Sequence, residues 1–324
     1  MGPRPIKSTK EILIEPLAAE SLGIRSMATF VVTPDVKLLL DPGVSHGLRG
    51  RVPHPREAEA LVRAGRKILQ RAREAQVLAI SHYHFDHYMP AFTHWMNFSS
   101  PELADRLYGG KELLVKSRDR GINLSQRKRA YYIYQRKDCT IVVADGERFR
   151  YGRTEVRFSE PVDHGEPGTK LGKVLICTVS TANERFVFAP DVQGPMVRST
   201  LEYILGEEPD LLFIGGPPTY LKGRLQRGSL ISARESLLEL ARQVPTVIVD
   251  HHLLRDPGWR EFLAEPGEVA AARGHRLLCA AQFLGVEVQD LEAHREELYR
   301  REPPEPDWER RLRGMSYSIG AAGT

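Results

Sequence analysis

The sequence predicts an α/β protein. Two patterns carry that expectation: short apolar runs of strand length recur along the chain, and from about residue 196 they alternate with segments of helical spacing. A third observation bears on chemistry. One apolar run, Val77 to Ile80, ends directly in Ser81-His82-Tyr83-His84-Phe85-Asp86-His87.

The elements follow in order. Glu11 to Pro16, Met27 to Thr33 and Val36 to Leu40 read as strands, with Thr33-Pro34-Asp35 as a turn and Asp41-Pro42-Gly43 as a chain reversal. Pro55 to Ala75 has helical spacing, with Ala58, Leu61, Val62, Ala64 and Leu69 toward one side. Between about 88 and 140 aromatic, polar and basic residues mix without a visible alternation, which predicts an insertion there. Strands return at Thr140 to Val143, Thr154 to Phe158, Lys173 to Val179 and Arg185 to Phe188. Then Met196 to Leu205 reads as helix, Leu211 to Ile214 as strand, Ser229 to Gln243 as helix and Thr246 to Val249 as strand. Pro257 to Tyr299 reads as mostly helical. With no repeat and no linker, residues 1–302 are expected to form one domain. Residues 303–324, rich in Pro, Arg and Gly, are expected to be a loosely held tail.

Composition narrows the class. At 324 residues, 41% hydrophobic and 27% charged, the chain can bury a sizeable core. A net charge of +4 does not by itself imply a nucleic-acid partner. Cys139, Cys177 and Cys279 are widely spaced, with no C-x-x-C pair, which argues against a zinc ribbon or a disulfide framework and fits a reducing, cytoplasmic compartment. The N-terminal stretch lacks the apolar core of a signal peptide, and Ile6 stands where a myristoylation signal needs Ser or Thr. No run approaches the roughly 18 apolar residues needed to span a bilayer, so no membrane partner is expected.

Three of the chain's 11 histidines fall within the six positions 82–87, together with Asp86. The alternative, an exposed loop with chance histidines, fits that concentration poorly. In extended chain His82 and His84 point to the same side. Three imidazoles and a carboxylate would be costly to bury unpaired, and a metal removes that cost. Imidazole and carboxylate suit zinc, iron or manganese.

This H-x-H-x-D-H pattern after an apolar strand resembles the signature of the metallo-β-lactamase superfamily. Four further stations occur in the superfamily's order: Asp41 in Leu39-Leu40-Asp41, His164 in Asp163-His164-Gly165, Asp191 in Ala189-Pro190-Asp191, and His251-His252 after Val249-Asp250. The resemblance implies an αββα sandwich of two mixed β-sheets flanked by helices, and two divalent metal ions, zinc foremost, with iron or manganese as alternatives. It implies that His82, His84 and His164 hold the first ion, and that Asp86, His87 and either His251 or His252 hold the second, with His251 favoured. Asp191 would bridge both, and Asp41 would orient a ligand histidine by hydrogen bond. Such a pair of ions generates hydroxide at neutral pH and polarises the bond under attack. Asp86 would also orient that hydroxide. His252, and after it Tyr220, are the candidates for general acid.

Two features address the substrate. Leu211 to Ile214 runs into Gly215-Gly216-Pro217-Pro218-Thr219-Tyr220, a turn placed beyond a strand's carboxyl end, where α/β ligand sites lie. From Lys111 to Lys137, nine basic residues stand against Glu112 and Asp119, a net of +7, with Tyr131, Tyr132 and Tyr134 among them. A solvated helical face is one reading of that run. The other is a phosphate-rich ligand, with Arg118 and Arg120 on phosphate and tyrosines stacking on bases. His46, five residues after Asp41, could also approach the site. The Lys111–Ser117 run, Asn123-Leu124-Ser125-Gln126 and the Gly-Pro-Pro-Thr-Tyr turn are similar to an uncharacterised archaeal branch of predicted metal-dependent hydrolases. The expected function is therefore hydrolysis of a phosphodiester, in RNA or a nucleotide, with a carboxylic ester, thioester or lactone as the alternative substrate on the same ions. A di-iron redox protein is disfavoured because His84 is kept and no flavin domain is evident, and a non-catalytic binding protein is disfavoured by the full ligand set.

Overall fold

The computed structural model describes residues 7–8 and 11–318. Its first half is one seven-stranded sheet. β1 (Lys7–Ser8), β2 (Leu13–Pro16), β3 (Thr29–Val32) and β4 (Lys37–Leu40) form an antiparallel meander. α1 (Pro55–Ala72) then crosses over to β5 (Val77–Ile80), which lies parallel to β4. α2 (Pro101–Tyr108), β6 (Glu112–Val115), α3 (Leu124–Tyr134) and β7 (Thr140–Val143) extend the sheet in the same sense.

The stretch 88–140 therefore carries two helices and the buried strand β6 of this sheet, where an insertion was expected. The signal was weak for physical reasons. β6 is four residues long, and α3 carries apolar and charged residues around its whole circumference, so neither period stands out.

The second half builds the other seven-stranded sheet. β8 (Arg148–Tyr151) and β9 (Thr154–Phe158) form a hairpin, and β10 (Val162–Asp163) and β11 (Lys173–Val174) form a separate ribbon. β12 (Cys177–Ser180), β13 (Arg185–Ala189), α4 (Arg198–Gly206), β14 (Leu211–Gly215), α5 (Ser229–Gln243), β15 (Thr246–Asp250), α6 (Trp259–Ala272) and β16 (Arg276–Leu278) follow. The order is β16-β15-β14-β13-β12-β9-β8, and β13 to β16 run parallel. Within the stretch read as helical from 257 to 299, the edge strand β16 was not foreseen. α7 (Ala280–Leu284), α8 (Arg295–Arg301) and α9 (Trp308–Arg313) complete the chain.

Side chains of a strand alternate between its two faces, and both faces of the central strands are apolar. Leu38, Leu40, Val77 and Leu114 of the first sheet meet Phe186, Phe188, Leu211 and Phe213 of the second in the middle layer. Leu39, Leu78 and Leu113 turn outward onto Leu61 and Ile68 of α1 and Leu103 and Leu107 of α2. Val187, Leu212 and Val247 turn outward onto Leu201 of α4, Leu240 of α5 and Trp259 of α6. The result is helix, sheet, sheet, helix. Among the described residues, no helix is long and apolar enough to cross a membrane.

The C-terminal stretch departs from expectation over its described part, and residues 319–324 lie outside the described residues. α9 packs on the start of α1: Leu312 and Trp308 are buried against Ala58, and Trp308 Nε1 donates to the Pro53 carbonyl at 2.8 Å. α8 is tied to the same place by a buried pair, Arg295 with Glu57 at 2.7 Å. Trp308→Ala should therefore lower the free energy of unfolding by about 3 kcal/mol, the usual cost of deleting a buried Trp side chain. Urea denaturation checks this, and an unchanged midpoint would mean that α9 does not brace the fold.

Candidate metal centre

Parallel strands end side by side, and their following loops meet at one edge. Leu40 of β4 lies opposite Ala79 of β5, so Asp41 and the His82 loop emerge together. Ala189 of β13 lies opposite Ile214 of β14, and Gly215 opposite Asp250 of β15, so Asp191, the Gly215-Gly216 turn and His251 emerge together from the facing sheet. His164 arrives from the end of β10.

Fitting these loops together takes unusual backbone. Asp41, Asp191, Gln193 and His251 adopt φ of 46°, 35°, 56° and 67°, four of the five non-glycine residues with positive φ among those described. Such conformations persist only where surroundings enforce them, and they gather at functional sites. Close approach adds to the demand. A Cβ on Gly43 would stand 2.2 Å from the Tyr88 amide nitrogen, and one on Gly215 would stand 2.8 Å from that of Asp191.

The Asp191 carboxylate, 1% exposed, is the centre of the arrangement. Its Oδ2 is 2.9 Å from His82 Nε2, 2.9 Å from His164 Nε2, 3.3 Å from His87 Nε2 and 3.8 Å from His84 Nδ1. Its Oδ1 is 2.8 Å from His251 Nε2 and 3.3 Å from His252 Nε2. Asp86 Oδ2 stands 3.8 Å from His251 Nε2. Most of these side chains are sealed, but His84, Asp86 and His252 remain 24%, 14% and 14% exposed, which marks the side from which a ligand can enter.

Buried carboxylates set where the imidazole protons lie. Asp41 Oδ2 accepts from His87 Nδ1 at 2.8 Å and from the Ser81 hydroxyl at 2.6 Å, and Ser81 Oγ in turn lies 3.0 Å from His82 Nδ1. A carboxylate only accepts, so His87 carries its proton on Nδ1. Because the Ser81 hydroxyl spends its proton on Asp41, Oγ accepts from His82 Nδ1. In its neutral form each ring then turns an unprotonated Nε2 toward the Asp191 side, where a cation can take it. Glu20 does the same for His251, accepting from its Nδ1 at 2.9 Å. Gln193 Nε2 lies 3.5 Å from His164 Nδ1. Glu20 and Gln193 were missed at the sequence level because each is far along the chain from the ring it faces and sits in no motif.

The donor set fits metal ions. Two nitrogens each about 2.1 Å from a tetrahedral ion stand about 3.4 Å apart. His82 Nε2 and His84 Nδ1 are 3.1 Å apart, His164 Nε2 and His84 Nδ1 3.2 Å, and His87 Nε2 and His251 Nε2 3.3 Å. Asp191 Oδ1 and His252 Nε2 are buried atoms with no hydrogen-bond partner among the described residues. His82, His84, His164 and Asp191 bring their ligand atoms within 4.8 Å of one another, and so do Asp86, His87 and His251.

The electrostatics agree. Burial would raise the Asp191 carboxyl, but the facing His87, His251, His164 and His252 outweigh it and hold it well below the carboxylate range. Burial opposes a charge on His87, yet Asp191 and Asp41 lift it well above the histidine range. For His251 burial is likewise outweighed, by Glu20 and Asp191, and the ring is lifted to about 9.

The remaining candidates are spread more widely. Tyr220 follows β14, with its hydroxyl 3.5 Å from Arg255 Nη1 and its ring under the Arg49 guanidinium at 4.3 Å. Arg118 lies over the Tyr134 ring and 3.6 Å from Asp119, and Arg120 pairs with Glu160 at 2.5 Å. No contact among the described residues joins either arginine to the cluster. The arginines that reach it are Arg255, whose Nη2 is 3.4 Å from Asp86, and Arg129, which donates to the Tyr83 carbonyl and covers the Phe85 ring. His46 is buried beside Arg295, Glu292 and Arg25, and burial lowers it to about 3. Both of its ring nitrogens lack hydrogen-bond partners among the described residues.

An αββα sandwich whose joint strand edge carries this His/Asp cluster has the metallo-β-lactamase fold with a candidate two-metal centre. No protein-family model matches the chain. It is 41% identical over 294 residues to a UPF0282 protein of Pyrobaculum neutrophilum, covering 89% of this chain and 94% of the relative. It is 42% identical over 293 residues to one of Thermococcus gammatolerans, covering 89% and 95%. The chain belongs to the UPF0282 family. Among solved structures it is similar to unliganded yeast PDE1, with 13% identity, a TM-score of 0.49 and coverage of 83% of this chain and 97% of that one. It is also similar to CmlA, a diiron β-hydroxylase from Streptomyces venezuelae, with 14% identity and a TM-score of 0.47; the match covers 84% of this chain and about half, 53%, of CmlA.

A pH dependence follows from the raised histidines. To bind a cation, His251 and His87 must give up the protons that the neighbouring carboxylates favour. In the metal-free protein the His251 shift stabilises the fold below about pH 6.5, and that contribution fades as pH rises through about 9. Zinc affinity should move the opposite way, rising at least about tenfold per pH unit between pH 7 and 9. Competition with a chelator across that range reads it directly, and a flat profile would remove His251 from the ligand set.

Proposed function

We propose that the protein is a metal-dependent hydrolase whose substrate is a phosphodiester, in RNA or a nucleotide. The observation that carries this reading is the single Asp191 carboxylate with imidazoles on both of its oxygens, opening to solvent past His84, Asp86 and His252. His82, His84 and His164 with Asp191 Oδ2 would hold one divalent cation, and Asp86, His87 and His251 with Asp191 Oδ1 the other. Two such cations, zinc foremost and iron or manganese as alternatives, would supply Lewis acidity and lower the pKa of water at the site.

The chain's own groups do the rest. Asp191 spans the two positions and fixes their spacing. Asp86, on the open side, orients the attacking water. His252 faces the same opening and donates a hydrogen bond to the reacting oxygen, with the Tyr220 hydroxyl beyond it. No serine or cysteine nucleophile is required, and burial pushes the Cys177 thiol up, away from reactivity.

The substrate class rests on α3. This helix is fastened to the His82–His87 loop by Gln126, whose Oε1 accepts from the Tyr83 amide at 3.1 Å, and by Arg129. Its outer face carries Leu124, Arg127, Lys128, Tyr131 and Tyr132, all exposed. Of the nine basic residues between 111 and 137, Lys116, Arg118, Arg120 and Arg136 pair with acids. Arg127 and Lys128 have no acidic partner among the described residues. Free cations interleaved with exposed tyrosines suit a phosphate backbone with stacking bases.

The zinc-loaded protein should turn over bis-p-nitrophenyl phosphate and short single-stranded RNA. Asp191→Ala should lower kcat by roughly 10³-fold or more, as expected for a group that organises the developing charge. Arg127→Glu with Lys128→Glu should raise KM for RNA by about tenfold through lost phosphate contacts. Hydrolysis of p-nitrophenyl acetate or a thioester with no turnover of any phosphodiester would overturn the substrate assignment.

A further inference from the structure

His251 and His252 are adjacent in one turn, the first fully buried and the second 14% exposed, and both aim Nε2 at Asp191 Oδ1. Their outer nitrogens have different nearest partners, although Arg255 Nη2 also lies 3.3 Å from His251 Nδ1. His251 Nδ1 faces the Glu20 carboxylate at 2.9 Å, which can only accept. His252 Nδ1 faces Arg255 Nη1 at 3.0 Å, and a guanidinium can only donate. When His251 gives up a proton to a cation, the proton it keeps is therefore the one on Nδ1, and Nε2 is the nitrogen left with a lone pair. His252 accepts at Nδ1, so its own proton sits on Nε2. Ligation of a metal by His252 Nε2 would need the proton on Nδ1, where it would meet the Arg255 N–H head on.

We propose that the Glu20–Arg255 pair sorts the two histidines into different roles: His251 as a metal ligand, and His252 as a hydrogen-bond donor to the substrate oxygen in the opening. Arg255 is the positioning residue. Residues 251–255 form a 3₁₀ turn, in which side chains three apart stack over one another, and this brings His252 onto Arg255. Arg255 is itself pinned, with Nε 2.7 Å and Nη2 2.6 Å from Glu20 Oε1, and its side chain is 3% exposed. The Arg49 guanidinium donates to its carbonyl. A second observation points outward. His252 Nε2 is buried without a hydrogen-bond partner among the described residues, 3.3 Å from Asp191 Oδ1 in poor alignment, on a side chain that is 14% exposed to the entry side. A ligand oxygen in the opening would give this donor a better-placed acceptor.

This inference rests on the two-metal hydrolase reading, and its test separates the two. Zinc per chain is measured by elemental analysis after dialysis, alongside kcat and KM on bis-p-nitrophenyl phosphate. The ring-proton positions are read from long-range ¹H–¹⁵N spectra of the zinc-loaded protein labelled at histidine. Wild type should hold two zinc ions, His251→Gln one, and His252→Gln two. His252→Gln should lower kcat by about 10²-fold with KM little changed, the size of loss expected for one donor to developing charge. The resonance missing from the His252→Gln spectrum should be an Nε2–H ring. Arg255→Gln should keep both ions, lower kcat and move that resonance toward the Nδ1–H form, whereas Arg255→Lys, whose ammonium can also only donate, should keep both ions and the Nε2–H form. Should these two variants fail to fold, the wild-type spectrum and His252→Gln still decide. Loss of one zinc from His252→Gln, an Nδ1–H ring in wild type, or an unmoved resonance in a folded Arg255→Gln variant would overturn the proposal. A wild type that binds no zinc fails the hydrolase reading instead.

Discussion

Six imidazoles lie within 4 Å of one buried carboxylate, and this crowding is the constraint around which the molecule is organised. Rings packed so closely cannot all be charged, nor can they all point N–H groups inward. Each needs its outer nitrogen caught by a group of the correct polarity. Asp41 and Ser81 serve His87 and His82, Glu20 serves His251, and Arg255 serves His252 in the opposite sense. These partners are themselves buried, and burying them is tolerable only because each is fully engaged. The left-handed backbone at Asp41, Asp191 and His251 is part of the same requirement, since it turns side chains inward at the ends of strands whose other residues point into the layers.

The layers supply the rigidity this needs. β4 and β5 on one side, and β13, β14 and β15 on the other, present their carboxyl ends to a common edge, and each is flanked on both faces by packed apolar side chains. Residues 88–140 contribute to that frame through β6 and carry α3 beside the opening. Their basic character is therefore divided. Lys116, paired with Asp145 and donating to the Arg120 carbonyl, serves the fold, while Arg127 and Lys128 face solvent. A charge run in a sequence does not reveal this division, because it depends on which acids the fold brings near.

Much of the fold and the centre of the site were legible in the sequence, and the reason is local. His82, His84, Asp86 and His87 fall within one loop, and Asp41, His164, Asp191 and His251 each follow an apolar run that a strand pattern detects. The illegible parts are long-range or short-period. Glu20 and Arg255 sit 231 and 4 residues from His251, and their importance comes from sharing one ion pair. β8, with Arg148 and Arg150 alternating with Phe149 and Tyr151, is too short to declare itself, and so are β6 and β16. The C-terminal stretch looked loose because its composition is polar, yet two residues, Trp308 and Leu312, suffice to dock it.

The central claim is that Asp191 lies between two cations. Anomalous diffraction from crystals of the zinc-loaded protein at the zinc absorption edge tests it most directly. The account predicts two peaks about 3.5–4 Å apart, one on each oxygen of Asp191, in keeping with dinuclear hydrolytic sites. A single peak, or two peaks of which neither touches Asp191, would contradict it.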